Sequence, residues 1–200
     1  MQWAPSQSDS KIELSQIIEL AGFLLGLAYL YYEYHAGAKM WIFGLLMPML
    51  SMWVYYSKGL YADCAMNVYY LLMAVYGYIA WTFNLKNRQR TVRPITSVPR
   101  STLLWLIPIF LAIYAVLAAW LRFGTDSTVP YWDAFTTAMS IVGTWMLARK
   151  YLQQWIAWIL VDAVSTGLYF YKGLYFYTIL YAIYTVIAVL GYRKWQKMMR

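Results

Sequence analysis

The sequence Lys58-Gly59-Leu60-Tyr61 recurs 114 positions later as Lys172-Gly173-Leu174-Tyr175. The same offset, held without a gap, brings further identical residues together: Trp41 with Trp155, Ser51 with Ser165, Tyr55 with Tyr169, Tyr70 with Tyr184, Gly77 with Gly191 and Trp81 with Trp195. Of the 41 pairs between the first and the last of these tryptophan pairs, 15 are identical, more than this composition produces by chance. The chain is therefore internally duplicated, which is typical of carriers that hold a solute between their halves.

The composition predicts a membrane protein. Hydrophobic residues make up 62% of the 200 residues and charged residues only 12%, and a soluble chain of this length does not bury so much apolar surface. The single cysteine, Cys64, excludes a disulfide framework and a cysteine-based metal site. Residues 1–15 are polar and lack the apolar core and cleavage site of a signal peptide.

Apolar stretches long enough to cross a bilayer predict an all-α fold with seven transmembrane helices. The predicted bounds are 16–34, 40–56, 61–84, 102–121, 131–148, 154–171 and 174–192. The predicted organisation is a polar N-terminal segment (1–15), a first triple-helix copy (16–84), a basic linker with the fourth helix (85–130), a second triple-helix copy (131–192) and a basic tail (193–200).

The duplication predicts a 3+1+3 plan, in which helices 1–3 match helices 5–7. Three crossings reverse the direction of the chain and the fourth helix restores it, so the two copies are expected to be parallel. Such a plan suits a pocket near mid-membrane that is lined by both copies.

The basic residues predict the orientation. Twelve of the 16 lie on one set of helix ends: Lys39, Lys86, Arg88, Arg90, Arg93, Arg100, Arg149, Lys150, Arg193, Lys194, Lys197 and Arg200. By the positive-inside rule the C-terminus is cytoplasmic and the N-terminus lies outside. The formal net charge of +8 is thus a topology signal and a contact for anionic lipid, and not a nucleic-acid footprint.

Asp162 is the sharpest candidate for binding a solute. It lies about 12 Å into the sixth predicted helix, and a carboxylate is costly there unless it has a function or a partner. Trp155, Trp158 and Asp162 have the spacing i, i+3, i+7 and share one helix face. Two indoles and an acid suit a flat cation. The structural alternatives are interhelical hydrogen bonding for the acid and the interfacial aromatic belt for Trp155.

Other polar residues within the spans are weaker candidates. Glu19 and Asp133 are a repeat-related pair of acids near the outer ends of helices 1 and 5, and Asn67 is the lone amide of helix 3. Three tyrosines on the repeated third helices could reach a pocket: Tyr70, Tyr181 and Tyr184. Tyrosines at such positions more often pack against other helices than bind a ligand. The residue pattern predicts no metal site, cofactor or enzymatic nucleophile–base pair.

The stretch from Trp155 to Asp162 resembles the Trp-x-x-Trp-x-x-x-Asn/Asp signature of the PnuC family of bacterial vitamin transporters. The residues Pro130-Tyr131-Trp132-Asp133 and Arg149-Lys150-Tyr151 fit the surroundings of that motif. The resemblance implies a multi-pass protein of the bacterial inner membrane that moves a vitamin by facilitated diffusion. It also implies alternating access like that of the SWEET proteins, a homotrimer, and a cytoplasmic vitamin kinase that traps the solute.

The departures from that family pattern favour thiamine. The branch that carries nicotinamide riboside places Asn where this chain has Asp162, and it carries more amides than Asn67 alone. A thiazolium ring can stack on aromatic side chains, and an aminopyrimidine can donate to a carboxylate. Nicotinamide riboside, also a cation, is the alternative.

Two further classes of function remain open. A SWEET-like carrier of a neutral sugar predicts uptake that does not depend on Asp162 or Glu19. A membrane scaffold without transport predicts no saturable binding of a small molecule.

Overall fold

The computed structural model describes residues 24–57, 61–83 and 92–199 of the chain. These residues form seven helices: α1 (24–34), α2 (Met40–Ser57), α3 (Tyr61–Thr82), α4 (Arg100–Gly124), α5 (Pro130–Ala148), α6 (Gln154–Tyr171) and α7 (Tyr175–Met198). The prediction of an all-helical fold with seven helices is confirmed. The predicted start of the first helix, the Lys58-Gly59-Leu60 turn and part of the basic linker lie outside the described residues.

The helix bounds agree with the predictions except at α4 and α7. The helix α4 begins at Arg100 directly after Pro99, whose extended backbone serves as the N-cap, and it continues to Gly124. The helix α7 continues six residues beyond the predicted end at 192, as far as Met198. The extension contains Arg193, Lys194 and Lys197, which leave the apolar span but are good helix formers.

Contacts divide the chain into an N-terminal unit that ends at Tyr78 and a C-terminal unit that begins at Ile79. In the N-terminal unit Trp41 is almost completely buried, and its ring lies against Gly77. A Cβ atom at Gly77 would lie 2.3 Å from the ring. Only glycine allows so close an approach of α2 to α3 at this point.

The C-terminal unit contains the same contact at the repeat-related positions. Trp155 is 2% exposed, and a Cβ atom at Gly191 would lie 2.6 Å from its ring. The helix α6 packs on both α5 and α7, and α5 also packs on α4. A small apolar core joins α4, α5 and α6 with the segment before α4, and its buried members are Val98, Leu106, Val142, Met146 and Ala157.

The segment before α4 is fixed to the corner between α5 and α6. Thr96 N donates to Lys150 O (3.2 Å), and Leu152 N donates to Thr96 O (2.9 Å). At the end of α3, the indole N–H of Trp81 donates to the carbonyls of Leu147 and Ala148, each at 3.2 Å. These bonds anchor the end of α3 and the linker to the same corner.

Lys150 stands at this corner in an unusual environment. Its backbone is left-handed (φ 58°), its side chain is only 4% exposed, and its ammonium lies 4.4 Å from the centre of the Trp81 ring. Burial, and to a smaller degree the neighbouring Arg93, lowers the pKa of Lys150 to about 8. Lys150, which the positive-inside rule uses to orient the chain, is therefore also packed against Trp81 in the interior of this corner.

Two of the described helices, α4 and α7, are long and apolar enough to cross a membrane. The helix α4 leaves most of its apolar surface exposed, with only Leu106 and Ala118 buried. Such a surface needs a lipid or protein environment.

Candidate substrate-binding site

Asp162 lies in the middle of α6 and faces α7. Its side chain is 8% exposed, and it lies close enough to Tyr181 and Tyr184 to interact electrostatically with both hydroxyl groups. Within the described parts of the chain, its carboxyl group has no hydrogen bond or ion pair. The structure therefore brings together three of the predicted site residues, namely the buried acid Asp162 and two tyrosines, Tyr181 and Tyr184.

A ladder of tyrosine rings continues from this acid along the α6–α7 contact. Tyr169 of α6 lies between Tyr177 and Tyr181 of α7, stacked on them at centroid distances of 5.3 Å and 5.1 Å. Tyr184 meets Tyr181 edge to face at 5.8 Å. Aromatic faces next to a carboxylate attract an organic cation through both the ring quadrupole and the charge. Tyr169 was not predicted as a site residue, although its place one turn beyond Ser165 on α6 puts it next to the predicted tyrosines of α7.

The two tryptophans of the motif turn to different neighbours. Trp155 packs on Gly191 of α7 and meets Trp195 edge to face at 5.6 Å. Trp158 is half-buried and lies near Gly143 of α5, where a Cβ atom would be 3.9 Å from the indole. The two indoles therefore do not lie side by side beneath Asp162, because the Trp155 ring packs closely on Gly191 of α7 while Trp158 is in van der Waals contact with α5. Their roles as substrate ligands stay predictions.

The predicted site residues of the N-terminal unit belong to a second group of polar side chains. Tyr70 lies close enough to Tyr29 for their hydroxyls to interact electrostatically, and Glu33, which is 3% exposed, interacts with the same Tyr29. Asn67 is half-buried on α3, within one turn of Tyr70. Glu33 was not a predicted site residue, because its place near the end of α1 suggested a structural role.

The repeat-related acids Glu19 and Asp133 stand apart from this arrangement. Glu19 lies outside the described residues. Asp133 accepts a hydrogen bond from the Ser127 hydroxyl (2.9 Å) and forms an ion pair with Lys172 at 4.0 Å. Since Lys172 follows Asp162 by ten residues, it lies about 15 Å away along α6. Asp133 thus stabilises the helix ends at one side of the C-terminal unit.

A recess of about 440 Å³ opens beside Asp133, at the connection between α4 and α5, and Arg122, Tyr131 and Trp132 contribute to its lining. None of the residues around Asp162 lines it. In the described residues no group of three or more His, Cys, Asp or Glu side chains could hold a metal ion.

Comparison with solved structures identifies the class of fold. A crystal structure of the vitamin B3 transporter PnuC superimposes with a TM-score of 0.67 over 92% of this chain and 82% of that chain, at 21% sequence identity. At this identity the likeness shows the fold alone, and that fold is the one of the vitamin B3 transporter.

The particular family follows from the sequence. The family model for the nicotinamide mononucleotide transporter matches residues 16–197, and this chain belongs to that family, the PnuC family. The predicted resemblance is confirmed.

Individual relatives differ in the vitamin that they carry. The nicotinamide riboside transporter PnuC of Escherichia coli is 23% identical over 89% of this chain and 84% of its own length. The transporter of the same name from Neisseria mucosa is 26% identical over 80% of this chain and 64% of its own length. The riboflavin/roseoflavin transporter RibM of Streptomyces davaonensis is 25% identical over 88% of this chain and 83% of its own length. Two of these three relatives are thus named for nicotinamide riboside and one for riboflavin.

Proposed function

We propose that this protein carries a small vitamin with a cationic aromatic ring across the bacterial inner membrane, and that nicotinamide riboside is the favoured substrate. The observation that carries the proposal is the buried Asp162 beside Tyr181 and Tyr184 at the contact of α6 with α7. The relatives named for nicotinamide riboside transport supply the choice among cations.

The proposed recognition uses charge and ring faces together. A buried carboxylate is expensive in a membrane protein unless a cation or a proton compensates it. A positively charged ring near Asp162 gains that attraction and stacks on neighbouring tyrosines such as Tyr181. A neutral solute gains nothing from the acid and still has to displace the side chains around it.

The proposed transport cycle uses the duplicated frame. Two parallel triple-helix copies, in the 3+1+3 plan and with the N-terminus outside, alternate access to the solute in the manner of SWEET proteins. Transport is facilitated diffusion, and phosphorylation by a cytoplasmic kinase traps the vitamin. The exposed apolar face of α4 suits either lipid or the neighbouring subunits of a homotrimer.

Thiamine is the second candidate, favoured by one observation. Asp162 stands where the motif of the riboside branch has Asn, and a carboxylate is the stronger acceptor for an aminopyrimidine and the stronger partner for a thiazolium. None of the named relatives supports this choice.

Uptake into proteoliposomes tests the function directly. Labelled nicotinamide riboside should enter in a saturable manner, and unlabelled riboside should compete for entry. Stronger competition by thiamine than by riboside would transfer the assignment to thiamine, and competition by riboflavin alone would overturn the preference for a cation. Saturable uptake of a neutral sugar would move the protein to a different substrate class. An absence of any saturable uptake or binding would leave the scaffold hypothesis.

A further inference from the structure

Gln154, the first residue of α6, is a buried amide without a hydrogen-bond partner among the described residues. Its side chain is 0% exposed, and in the part of the chain that the structure describes neither its Oε1 nor its Nε2 has a hydrogen bond. Leaving a buried polar group without a hydrogen bond is energetically costly, and a carboxamide has one acceptor and one donor group that are affected in this way. A position with this cost points to a partner that arrives during function.

The adjacent Gln153 shows what a structural glutamine looks like at this corner. Its Oε1 accepts a hydrogen bond from Val98 N at 2.9 Å. That bond fixes the segment before α4 to the start of α6. The two neighbouring glutamines thus differ, one with a structural partner and one without.

Gln154 lies on the same face of α6 as the proposed binding acid. Gln154, Trp158 and Asp162 are spaced i, i+4, i+8, so they fall within about 80° on the helix and span about 12 Å. The indole N–H of Trp158 is also buried without a partner among the described residues. The unsatisfied groups therefore form a continuous stripe that ends at Asp162.

The repeat identifies the stripe as a feature of the second copy alone. The position related to Gln154 by the offset of 114 is Met40, which is equally buried. The position related to Asp162 is Pro48. In the first copy the apolar Met40, a side chain of similar length, thus occupies the position that Gln154 occupies in the second copy.

We propose that Gln154 contacts the transported vitamin at the end of a binding path whose other end is Asp162. Its carboxamide pairs with a ring substituent that offers both a hydrogen-bond donor and an acceptor, such as a ring carboxamide or an amino-substituted heterocycle. The inference rests on the proposed function and adds a second contact to it.

The test compares Gln154→Met with the matched control Gln153→Met in purified full-length protein. The affinity for nicotinamide riboside is measured by isothermal titration calorimetry, and the stability by thermal unfolding in detergent. Gln154→Met should weaken binding at least tenfold and leave the melting temperature unchanged or higher, since it removes an unsatisfied amide. Gln153→Met should lower the melting temperature, because it removes the hydrogen bond from Val98 N. Its affinity for nicotinamide riboside should stay within about twofold, whereas the tenfold loss expected for Gln154→Met corresponds to about 1.4 kcal/mol.

A ligand analogue separates contact from a structural effect. Nicotinic acid riboside, which has a carboxylate in place of the carboxamide, should bind the unaltered protein more weakly than nicotinamide riboside. Gln154→Met should bind the two ligands with similar affinity. If Gln154→Met does not fold, Gln154→Asn, which keeps the amide and withdraws it by one methylene, should show a reduced preference for the carboxamide.

Three results overturn the inference. Unchanged affinity and unchanged preference in the Gln154 variants would make the residue structural, with the proposed function intact. A lower melting temperature and a weaker affinity in Gln154→Met, with the ligand preference retained, would likewise make the residue structural. No binding of any vitamin by the unaltered protein would remove the proposed function and this inference with it.

Discussion

The N-terminal and C-terminal units contain the same contact between a buried tryptophan and a glycine, but they differ in the polar residues around it. Trp41 packs on Gly77 in one, and Trp155 packs on Gly191 in the other, at positions related by the offset of 114. Around this shared contact the polar residues differ, since the second copy has Gln154 and Asp162 where the first has Met40 and Pro48. The duplication has kept the residues that bring helices together and changed residues of the proposed binding site.

The shared contact can be broken at either glycine, and this change has the largest expected effect. Gly77→Ala and Gly191→Ala place a methyl group 2.3 Å and 2.6 Å from a buried tryptophan ring. Each should destabilise the protein by about 2–3 kcal/mol, with the larger loss at Gly77, because the ring and both helices must shift. Thermal unfolding in detergent measures the effect.

Gly167→Ala is the matched control for both variants. It lies within α6, and no atom of the described residues lies within 4 Å of the added Cβ. A small gain of about 0.5–1 kcal/mol is expected there, since alanine is the better helix former. A neutral result at Gly77 or Gly191 would show that the contact is not a constraint in that copy.

Asp162→Asn sharpens the difference between the copies at the proposed site. The substitution gives the motif the residue that the riboside branch carries. Binding of thiamine should fall more than about tenfold, because a charge-assisted interaction becomes a neutral one. Binding of nicotinamide riboside, also a cation, should fall by a smaller factor of about three to ten, or about 0.7–1.4 kcal/mol, because asparagine is the residue that the riboside branch carries. Calorimetric titration of both ligands measures the two affinities. Equal losses for both would mean that the carboxylate does not discriminate between them.

The buried Lys150, in the loop between α5 and α6, should make the stability of the C-terminal unit depend on pH. Its pKa is lowered to about 8 in the folded protein from an ordinary 10.5. Between these values the unfolded chain binds the proton and the folded chain does not, so stability rises with pH. The penalty of burying the charge is fully present well below pH 8 and decreases as the pH rises through 8. The gain between pH 7 and pH 9 should be about 1 kcal/mol.

The Lys150 prediction is measured as the difference in unfolding free energy between the unaltered protein and Lys150→Met across that pH range. Since methionine does not titrate, other ionisable groups cancel in the difference. A difference that stays flat from pH 7 to pH 9 contradicts a buried, titrating ammonium at this corner.

Asp133→Asn should have the smallest effect. Its ion pair with Lys172 is one-third exposed on both sides, and such pairs contribute less than about 1 kcal/mol. A double-mutant cycle with Lys172→Met measures the coupling by thermal unfolding. A tenfold loss of vitamin affinity in Asp133→Asn would instead show that Asp133 contributes to binding.

The sequence predicted the elements of the fold more accurately than their contacts. The bounds of α6 agree at both ends, because polar residues precede Gln154 and the Lys172-Gly173 turn ends the helix with Gly173 in the left-handed region (φ 71°). The end of α7 was missed because hydropathy measures the bilayer span and not the helix, which continues through Arg193 and Lys194.

The candidate site was predicted in part. Helical spacing placed Trp155 and Asp162 near one face, and that is where α6 carries them. Spacing within one helix contains no information on the neighbouring helices, so the notch at Gly191 that holds Trp155 was not foreseen. Nor does the sequence show that, among the described residues, Gln153 has a hydrogen-bond partner and the buried Gln154 has none, since the two glutamines are adjacent in the same polar turn.

The central claim is that Asp162 takes part in binding a cationic vitamin during transport. The most direct test is counterflow of labelled nicotinamide riboside in proteoliposomes that contain the unaltered protein, Asp162→Leu or the control Asp126→Asn, an exposed acid between α4 and α5. We predict saturable counterflow in the unaltered protein and the control, and its loss in Asp162→Leu with the melting temperature retained. Undiminished counterflow in a folded Asp162→Leu variant would contradict the claim.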